Sequence, residues 1–106
     1  MTDEAIVILS TVPDHATGEK IAHALLEARA AACVHIALAG TSIYRWEGKI
    51  ETATEHKLFI KTTRARFADV ERIVKTEHPY QVPEIVALTV TAGSESYLRW
   101  LASETA

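Results

Sequence analysis

The longest regular feature of the chain lies between residues 33 and 63, where two strand-like stretches flank the dipeptide Glu47-Gly48. Glycine adopts the positive φ angle that a two-residue hairpin turn requires. Each arm is about 13 residues long and spans roughly 43 Å at about 3.3 Å per residue. A domain of this length has a radius of gyration of roughly 13 Å. The pattern therefore predicts a β-hairpin that projects beyond the body of its own domain.

The tip of this hairpin is apolar, because Ile43, Tyr44, Trp46 and Ile50 all lie close to the turn. A lone two-stranded ribbon is marginally stable in water, and an exposed apolar edge favours pairing with another chain. We therefore expect other copies of the chain to cover the tip. A hairpin that bends back over its own sheet is the alternative. The carboxylates Glu51 and Glu55 on the second arm are interpreted as a solvated face.

Before the hairpin, the pattern predicts one strand and one helix. The continuous apolar run at residues 5–9 is typical of a central strand buried on both faces. Pro13 ends that strand, and Asp14 or Thr17 can cap the helix that follows. The inward face of the helix is predicted from helical spacing to contain Ile21, Leu25, Ala28 and Ala32.

After the hairpin, the pattern predicts a helix, a stiff loop, a strand and a last helix. Thr63 can cap the first of these helices, and Pro79 stops it. The loop at residues 78–83 contains two of the three prolines. Residues 84–91 are predicted to form a strand, and Ser94 is a suitable N-cap for the final helix.

This order of elements predicts an α+β fold. Two split βαβ units form a ferredoxin-like βαββαβ sandwich, in which helices cover one face of a four-stranded antiparallel sheet. The long projecting hairpin, formed by the second and third predicted strands, and an extra C-terminal helix are additions to that plan. The whole chain, residues 1–106, is predicted to be one domain.

The register of the hairpin conflicts with its hydrophobic pattern. A turn at Glu47-Gly48 places Tyr44 opposite Glu51, and the same register at the base places Leu58 opposite the small Ala37. A slip of one residue would restore the pattern, because side chains alternate with period two. We therefore predict a bulge or bend near residues 39–40, where glycine can accommodate it.

Composition narrows the classes of function. Apolar residues make up 48% and charged residues 24% of the 106, as in an ordinary globular domain. The net charge of -3 gives no reason to expect nucleic acid or an anionic membrane as a partner. No apolar run is long enough to suggest a membrane span. A single cysteine excludes an internal disulfide framework and fits a reducing compartment, so the cytoplasm is the expected location.

Candidate metal ligands are few and scattered. Cys33 and His35 would share one face of a strand, but a zinc site needs at least three protein ligands. His78 lies at a helix C-terminus before Pro79, and as a ligand it would need partners from elsewhere in the fold or from another subunit. No G-x-S-x-G, P-loop or zinc motif occurs. We therefore expect no catalytic residues and no enzymatic activity.

The aromatic residues form a second set of candidates. The hairpin tip is predicted to meet a neighbour's loop or C-terminal helix, whereas plain core packing is the alternative. The residues predicted to lie at that interface are Ile43, Tyr44, Trp46, Tyr80 and Trp100.

Several motifs together carry a family resemblance that extends from Val7 to Trp100. They are T-V-P at residues 11–13, A-A-C-V at 31–34, S-I-Y-R-W-E-G-K at 42–49, K-T at 61–62, H-P-Y-Q-V-P-E at 78–84 and Y-L-R-W at 97–100. With these motifs the chain resembles the CutA divalent-cation tolerance proteins.

The resemblance implies a cytoplasmic homotrimer, similar to the trimeric PII signalling fold, that is linked to tolerance of copper and other divalent cations. Some family members bind copper through a cysteine at the end of strand one and two adjacent histidines. Here those positions are Ser10, Glu77 and His78, so only His78 is kept. The remaining donors for Cu²⁺ or another divalent cation are His78 with Cys33, His35 or Glu77, and folding is expected to require no metal.

Two functions stay open at this point, with an enzyme of unknown reaction as the least favoured third. The first is a trimeric metal-tolerance protein that binds a divalent cation weakly through His78 and its neighbours. The alternative is a PII-like signalling or interaction module, whose intersubunit clefts bind a small anion or a partner protein.

Overall fold

An antiparallel sheet organises the structure, a computed structural model that describes residues 4–106; the first three residues of the predicted domain lie outside that range. The sheet has the strand order β2-β4-β1-β5, and β3 pairs with the outer half of β4. This is the predicted α+β, ferredoxin-like arrangement. In chain order the elements are β1 (Ala5–Val12), α1 (His15–Glu27), β2 (Cys33–Ile36), β3 (Gly40–Trp46), β4 (Lys49–Thr63), a 3₁₀ turn (Arg64–Arg66), α2 (Phe67–Glu77), β5 (Val86–Thr89) and α3 (Glu95–Glu104).

Strand β1 is buried on one face only, which corrects the expectation of burial on both. Its even-numbered residues, such as Ile6 and Ile8, lie in the core, while the odd-numbered ones are half-buried. The reason is that α1 and α2 pack on one side of the sheet within a single chain. The opposite side, called here the open face, is not covered by α1 or α2. Within residues 4–106, α3 contacts β1 and β4, and its Tyr97 ring lies 5.8 Å from Lys61 Nζ on this face.

Helix α1 begins as the sequence predicts and ends earlier. The Asp14 carboxylate accepts a hydrogen bond from the Thr17 amide at 2.7 Å, so Asp14 and not Thr17 is the cap. Ile21 and Leu25 are buried, as predicted. The helix ends at Glu27, so the predicted inward positions Ala28 and Ala32 lie beyond it and outside the buried stripe.

Helix α2 begins differently from the prediction. Thr63 precedes the 3₁₀ turn, and its buried side chain makes no capping hydrogen bond. The predicted capping role of Thr63 is therefore wrong. The helix ends at Glu77, immediately before His78-Pro79, as the proline predicted.

The last strand is shorter than residues 84–91, because β5 pairs with β1 only from Val86 to Thr89. The final helix is capped as predicted, since the Ser94 hydroxyl accepts a hydrogen bond from the Tyr97 amide at 3.3 Å. None of the helices within residues 4–106 is both long enough and apolar enough to span a membrane.

The hairpin projects from the body, as its length predicted. The molecule measures 46 × 26 × 23 Å, with a radius of gyration of 14.3 Å. The turn has φ angles of 50° at Glu47 and 79° at Gly48, the two positive values of a type I′ hairpin turn. Tyr44 pairs with Glu51, as the sequence predicted for this turn.

The predicted register slip is also present. At the base of the hairpin Val34 pairs with Ile60, whereas the register of the tip would pair Val34 with Lys61. Both apolar side chains therefore face the core. The interruption occupies residues 37–39, just before Gly40, which begins β3. The Ala37 carbonyl at this break accepts a hydrogen bond from His56 Nδ1 at 2.8 Å. A side chain therefore satisfies the backbone acceptor there.

The open face of the sheet is partly apolar. Leu9, Phe59 and Val86 form one row across it, because Leu9 pairs with both of the others. Leu88 lies in the next row, and Phe59, Val86 and Leu88 are all exposed. This face continues onto one side of the hairpin, and it is where the candidate site lies.

Candidate functional site

A pocket of about 520 Å³ lies between the hairpin and the loop that follows α2. Three aromatic side chains line it, together with two carboxylates. These residues are Tyr44, Trp46, Tyr80, Glu55 and Glu84.

The hairpin register explains why its contributions to the pocket point the same way. Alternate residues of a strand share a face, so Ser42, Tyr44 and Trp46 project together from β3. Glu55 on β4 pairs with Gly40, two residues before Ser42 on that same face. The hairpin therefore supplies two aromatic rings, a hydroxyl and a carboxylate to one side.

His78 holds the other wall of the pocket in position. Its side chain is 8% exposed. Its Nε2 donates a hydrogen bond to the Thr11 carbonyl at 2.6 Å, and its Nδ1 accepts one from the Tyr80 amide at 3.1 Å. These partners assign the neutral tautomer with the proton on Nε2. His78 thus ties the loop to the end of β1 and uses both ring nitrogens to do so.

Tyr80 and Glu55 join the loop to the hairpin. The Tyr80 hydroxyl donates a hydrogen bond to Glu55 Oε2 at 2.7 Å. Burial raises the pKa of Tyr80 above its ordinary value, and the Glu55 carboxylate raises this pKa further. Glu55 is 8% exposed, which corrects its interpretation as part of a solvated face.

The second carboxylate of the pocket is already neutralised. Lys57 Nζ lies 3.2 and 3.3 Å from the two carboxylate oxygens of Glu84. Within residues 4–106, no lysine, arginine or histidine forms a salt bridge with Glu55. The pocket therefore retains one carboxylate whose only observed partner is a neutral phenol.

The four candidate metal ligands are not brought together in one chain. Cys33 pairs with Lys61, which pairs with Val7, whereas His78 binds Thr11, four residues and roughly 13 Å further along β1. His35 pairs with Phe59 on the same open face as Cys33. Glu77 forms an ion pair with Lys20 at 3.2 Å.

These positions do not fit a resident metal centre within a single chain. In the part of the chain that the structure describes, no three His, Cys, Asp or Glu side chains are grouped closely enough to hold a metal ion. Both nitrogens of His78 are engaged, and coordination would break one of those hydrogen bonds. Ser10 lies on the helix side of β1, opposite the pocket, and its buried hydroxyl oxygen has no partner among residues 4–106.

The predicted interface residues form two groups within the chain. Tyr44, Trp46 and Tyr80 line the pocket, with Ile43 exposed on the other side of β3. Trp100 instead lies against Tyr97, with ring centroids 5.5 Å apart, and the Tyr97 ring is 5.8 Å from Lys61 Nζ. Whether a neighbouring copy joins the two groups stays a prediction.

Sequence reasoning missed the two carboxylates of the pocket. Glu55 has the strand position of a solvated residue, but it is buried in the structure, where the hydroxyl of Tyr80, 25 residues away, donates a hydrogen bond to it. The signal available in the sequence was the two-residue spacing between Glu55 and Lys57, which places both side chains on the same face of β4.

The fold and the pocket define a class: a ferredoxin-like α+β chain with a projecting hairpin, to which a histidine-anchored loop is bound. The model of the CutA1 divalent ion tolerance protein family matches residues 6–104, and the chain belongs to this family.

Individual relatives agree with this assignment. The divalent-cation tolerance protein CutA of Thermus thermophilus is 48% identical over 99 residues, which cover 93% of this chain and 96% of that protein. A chloroplastic CutA of Arabidopsis thaliana is 39% identical over 98% of this chain, which spans only 57% of that protein's length.

Solved structures show the same fold. The CutA1 structure from Thermus thermophilus superposes with a TM-score of 0.94 at 46% identity, covering 96% of this chain and 99% of that one. The structure from Oryza sativa gives a TM-score of 0.95 at 38% identity, with 99% and 96% coverage.

Proposed function

We propose that the protein acts in divalent-cation tolerance as a cytoplasmic homotrimer. Family membership supports the tolerance role, because relatives at 39–48% identity are named for it or for CutA. The family is named for tolerance and not for a reaction, which supports a protein that is not an enzyme. The cytoplasmic setting rests on the single cysteine and on the family resemblance, whereas one relative is named chloroplastic and one similar structure is of a protein named periplasmic.

The observation that carries the proposed assembly is the apolar open face with its hairpin. Phe59 and Leu88 are exposed on the open face, and Ile43 and Ile50 are each 70% exposed near the tip, on the side of the hairpin opposite Tyr44. Large exposed apolar patches are typical of surfaces that bind another protein. Two faces of the same kind bury each other, so a second copy of the chain is the simplest partner. The number three comes from the family resemblance.

Sedimentation equilibrium tests the assembly. We expect a mass three times that of the 11.7 kDa chain. The double variant Ile43→Lys, Ile50→Lys should shift the mass towards the monomer, because it places charges on the tip. The matched control is Leu26→Lys, which changes an exposed leucine on the helix side. A wild-type monomer at micromolar concentration would overturn the proposed trimer.

Copper is the divalent cation that we propose, bound weakly through His78. Weak binding is consistent with the geometry, because His78 must give up a hydrogen bond and its candidate neighbours lie apart in one chain. A neighbouring subunit is the source we propose for the missing ligands.

Calorimetric titration of the assembled protein with Cu²⁺ and Zn²⁺ tests this binding. His78→Ala should abolish the heat of binding, while His23→Ala, at an exposed position of α1, should leave it unchanged. Thermal unfolding of both variants checks that they remain folded. Unchanged Cu²⁺ binding in His78→Ala would exclude His78 as the ligand.

The pocket favours one part of the PII-like alternative, because it offers space for a small ligand beside the proposed interface. The Glu55 carboxylate in it, which forms no salt bridge within residues 4–106, opposes a small anion, since like charges repel in a partly desolvated site. A signalling module that binds an anion would therefore have to use another cleft. Titration with inorganic phosphate tests this, and phosphate binding in the pocket would restore the alternative.

A further inference from the structure

We infer that the pocket binds an organic ammonium ion, either a protonated or a quaternary amine. This binding site goes beyond the proposed cation tolerance and does not depend on it. It concerns the class of ligand that the walls of one chain can recognise.

Glu55 carries the negative charge that a ligand in the pocket would have to match. Glu55 is 8% exposed, and within residues 4–106 its carboxylate receives a hydrogen bond only from the neutral Tyr80 hydroxyl, at 2.7 Å. The nearest lysine on the same strand face, Lys57, is already paired with Glu84. A buried carboxylate without a counter-ion is unfavourable, and a cation in the pocket would compensate it.

Three aromatic rings line the pocket beside this carboxylate. Tyr44, Trp46 and Tyr80 surround the same space and are between 36% and 44% exposed in a single chain, so part of each ring faces the pocket. All three are also predicted interface residues, which is why the test below uses the assembled protein. A cation over the face of an aromatic ring is attracted by the ring quadrupole, most strongly at tryptophan. Several rings beside one carboxylate form the type of site that recognises ammonium ligands.

Other classes of ligand fit the pocket less well. A hard divalent cation needs six or more oxygen ligands, or several waters, and only one carboxylate here is free of a salt bridge. An anion would be repelled by Glu55. A neutral apolar ligand would displace water from Glu55 without replacing the charge interaction. An organic cation would pair with the Glu55 carboxylate and would also make cation–π contacts with the aromatic rings.

The size and polar edge of the pocket agree with this class. Its volume of about 520 Å³ exceeds what a small amine needs and lies within the range of ligand sites. Ser42, Thr11 and Gln81 also line it and offer hydroxyl and amide oxygens. These atoms can accept hydrogen bonds from a hydroxyl or ammonium group of the ligand.

The test uses choline and its neutral carbon isostere, 3,3-dimethylbutan-1-ol, with the assembled wild-type protein. Isothermal titration calorimetry measures affinity, and tryptophan fluorescence reports contact with Trp46. We expect choline to bind at least about tenfold more tightly than the isostere, as a desolvated cation–π contact and one carboxylate imply.

Two variants and one control locate the site. Glu55→Gln keeps an acceptor for the Tyr80 hydroxyl but removes the charge, and should weaken choline binding at least about tenfold. Trp46→Leu should weaken it as well and remove the fluorescence change. Glu27→Gln, which neutralises an exposed carboxylate at the end of α1, should bind choline as the wild type does. The sedimentation mass of each variant shows whether assembly is intact.

Four results would overturn the inference. The first two are equal affinity for choline and its isostere, and unchanged choline binding in Glu55→Gln. The other two are no choline binding at millimolar concentration, and Glu55-dependent binding of Mg²⁺ or phosphate by a protein that does not bind choline. Failure of the proposed function is distinguishable from all of these. Choline binding by a protein that sediments as a monomer or ignores Cu²⁺ would leave the inference standing.

Discussion

The hydrogen bond from Tyr80 to Glu55 joins the loop to the hairpin, and its removal tests how the pocket is held together. Tyr80→Phe deletes only the hydroxyl oxygen, which lies 2.7 Å from the carboxylate. The ring stays in place between the hairpin and His78, whose ring centroid is 4.6 Å away. The substitution therefore isolates one hydrogen bond.

The magnitude follows from the burial of both partners. A hydrogen bond to a charged group contributes about 1.5–3 kcal/mol to stability. Tyr80 is 36% exposed, so water can partly replace the lost donor, and the lower end of that range applies. We expect Tyr80→Phe to lower the free energy of unfolding by about 1.5 kcal/mol.

Equilibrium unfolding in guanidinium chloride measures the effect, at one fixed protein concentration because assembly contributes to stability. The matched control is Tyr97→Phe, since no hydrogen bond of the Tyr97 hydroxyl is observed within residues 4–106. It should change stability by less than about 0.5 kcal/mol. In a Glu55→Gln background, Tyr80→Phe should cost about half as much, because the acceptor is no longer charged.

The pH dependence of the free energy of unfolding is an independent test of the same hydrogen bond. The pKa of Tyr80 is raised above its ordinary value of 10.0, so the folded state holds the phenol proton more tightly than the unfolded state does. The contribution of this protonated phenol to the free energy of unfolding is complete below pH 10 and is lost as the pH rises above that value. The loss should be present in the wild type and absent in Tyr80→Phe. If Tyr80→Phe costs no more than Tyr97→Phe, and the alkaline profiles coincide, the bond does not hold the pocket.

Two further changes test the local structure by guanidinium unfolding. Ser10→Ala should leave stability unchanged or raise it by up to about 1 kcal/mol, because it removes a buried hydroxyl without a partner in residues 4–106; a loss above about 1 kcal/mol would show that the hydroxyl is satisfied. Gly48→Ala should cost about 1 kcal/mol, because φ is 79° there. Gly40→Ala should cost much less, since a Cβ at Gly40 meets no atom within 4 Å; equal losses at Gly48 and Gly40 would contradict the strain argument.

The candidate site could be predicted only in part. The aromatic residues Tyr44, Trp46 and Tyr80 stand out in the sequence, and the structure brings all three to one pocket. His78 stands out as well, but its role is different, because its nitrogens bind the backbone of Thr11 and Tyr80. Residue types show which side chains could bind a metal, but they do not show which of those side chains already form hydrogen bonds within the protein.

The sequence by itself determined the local features of this protein. The Ser94 cap, the turn at Glu47-Gly48 and the one-residue register slip follow from interactions between near neighbours or from the two-residue alternation of strands. The sequence left Asp14 and Thr17 as alternative caps of α1, and the structure selected Asp14.

Only the tertiary structure decided the burial of Glu55 and the engagement of His78. Alternation shows which face of a strand a side chain occupies, but not what covers that face. The loop at residues 78–84 covers Glu55 because it crosses the end of β1 and reaches the hairpin. That approach joins segments distant in sequence, so no local pattern contains it.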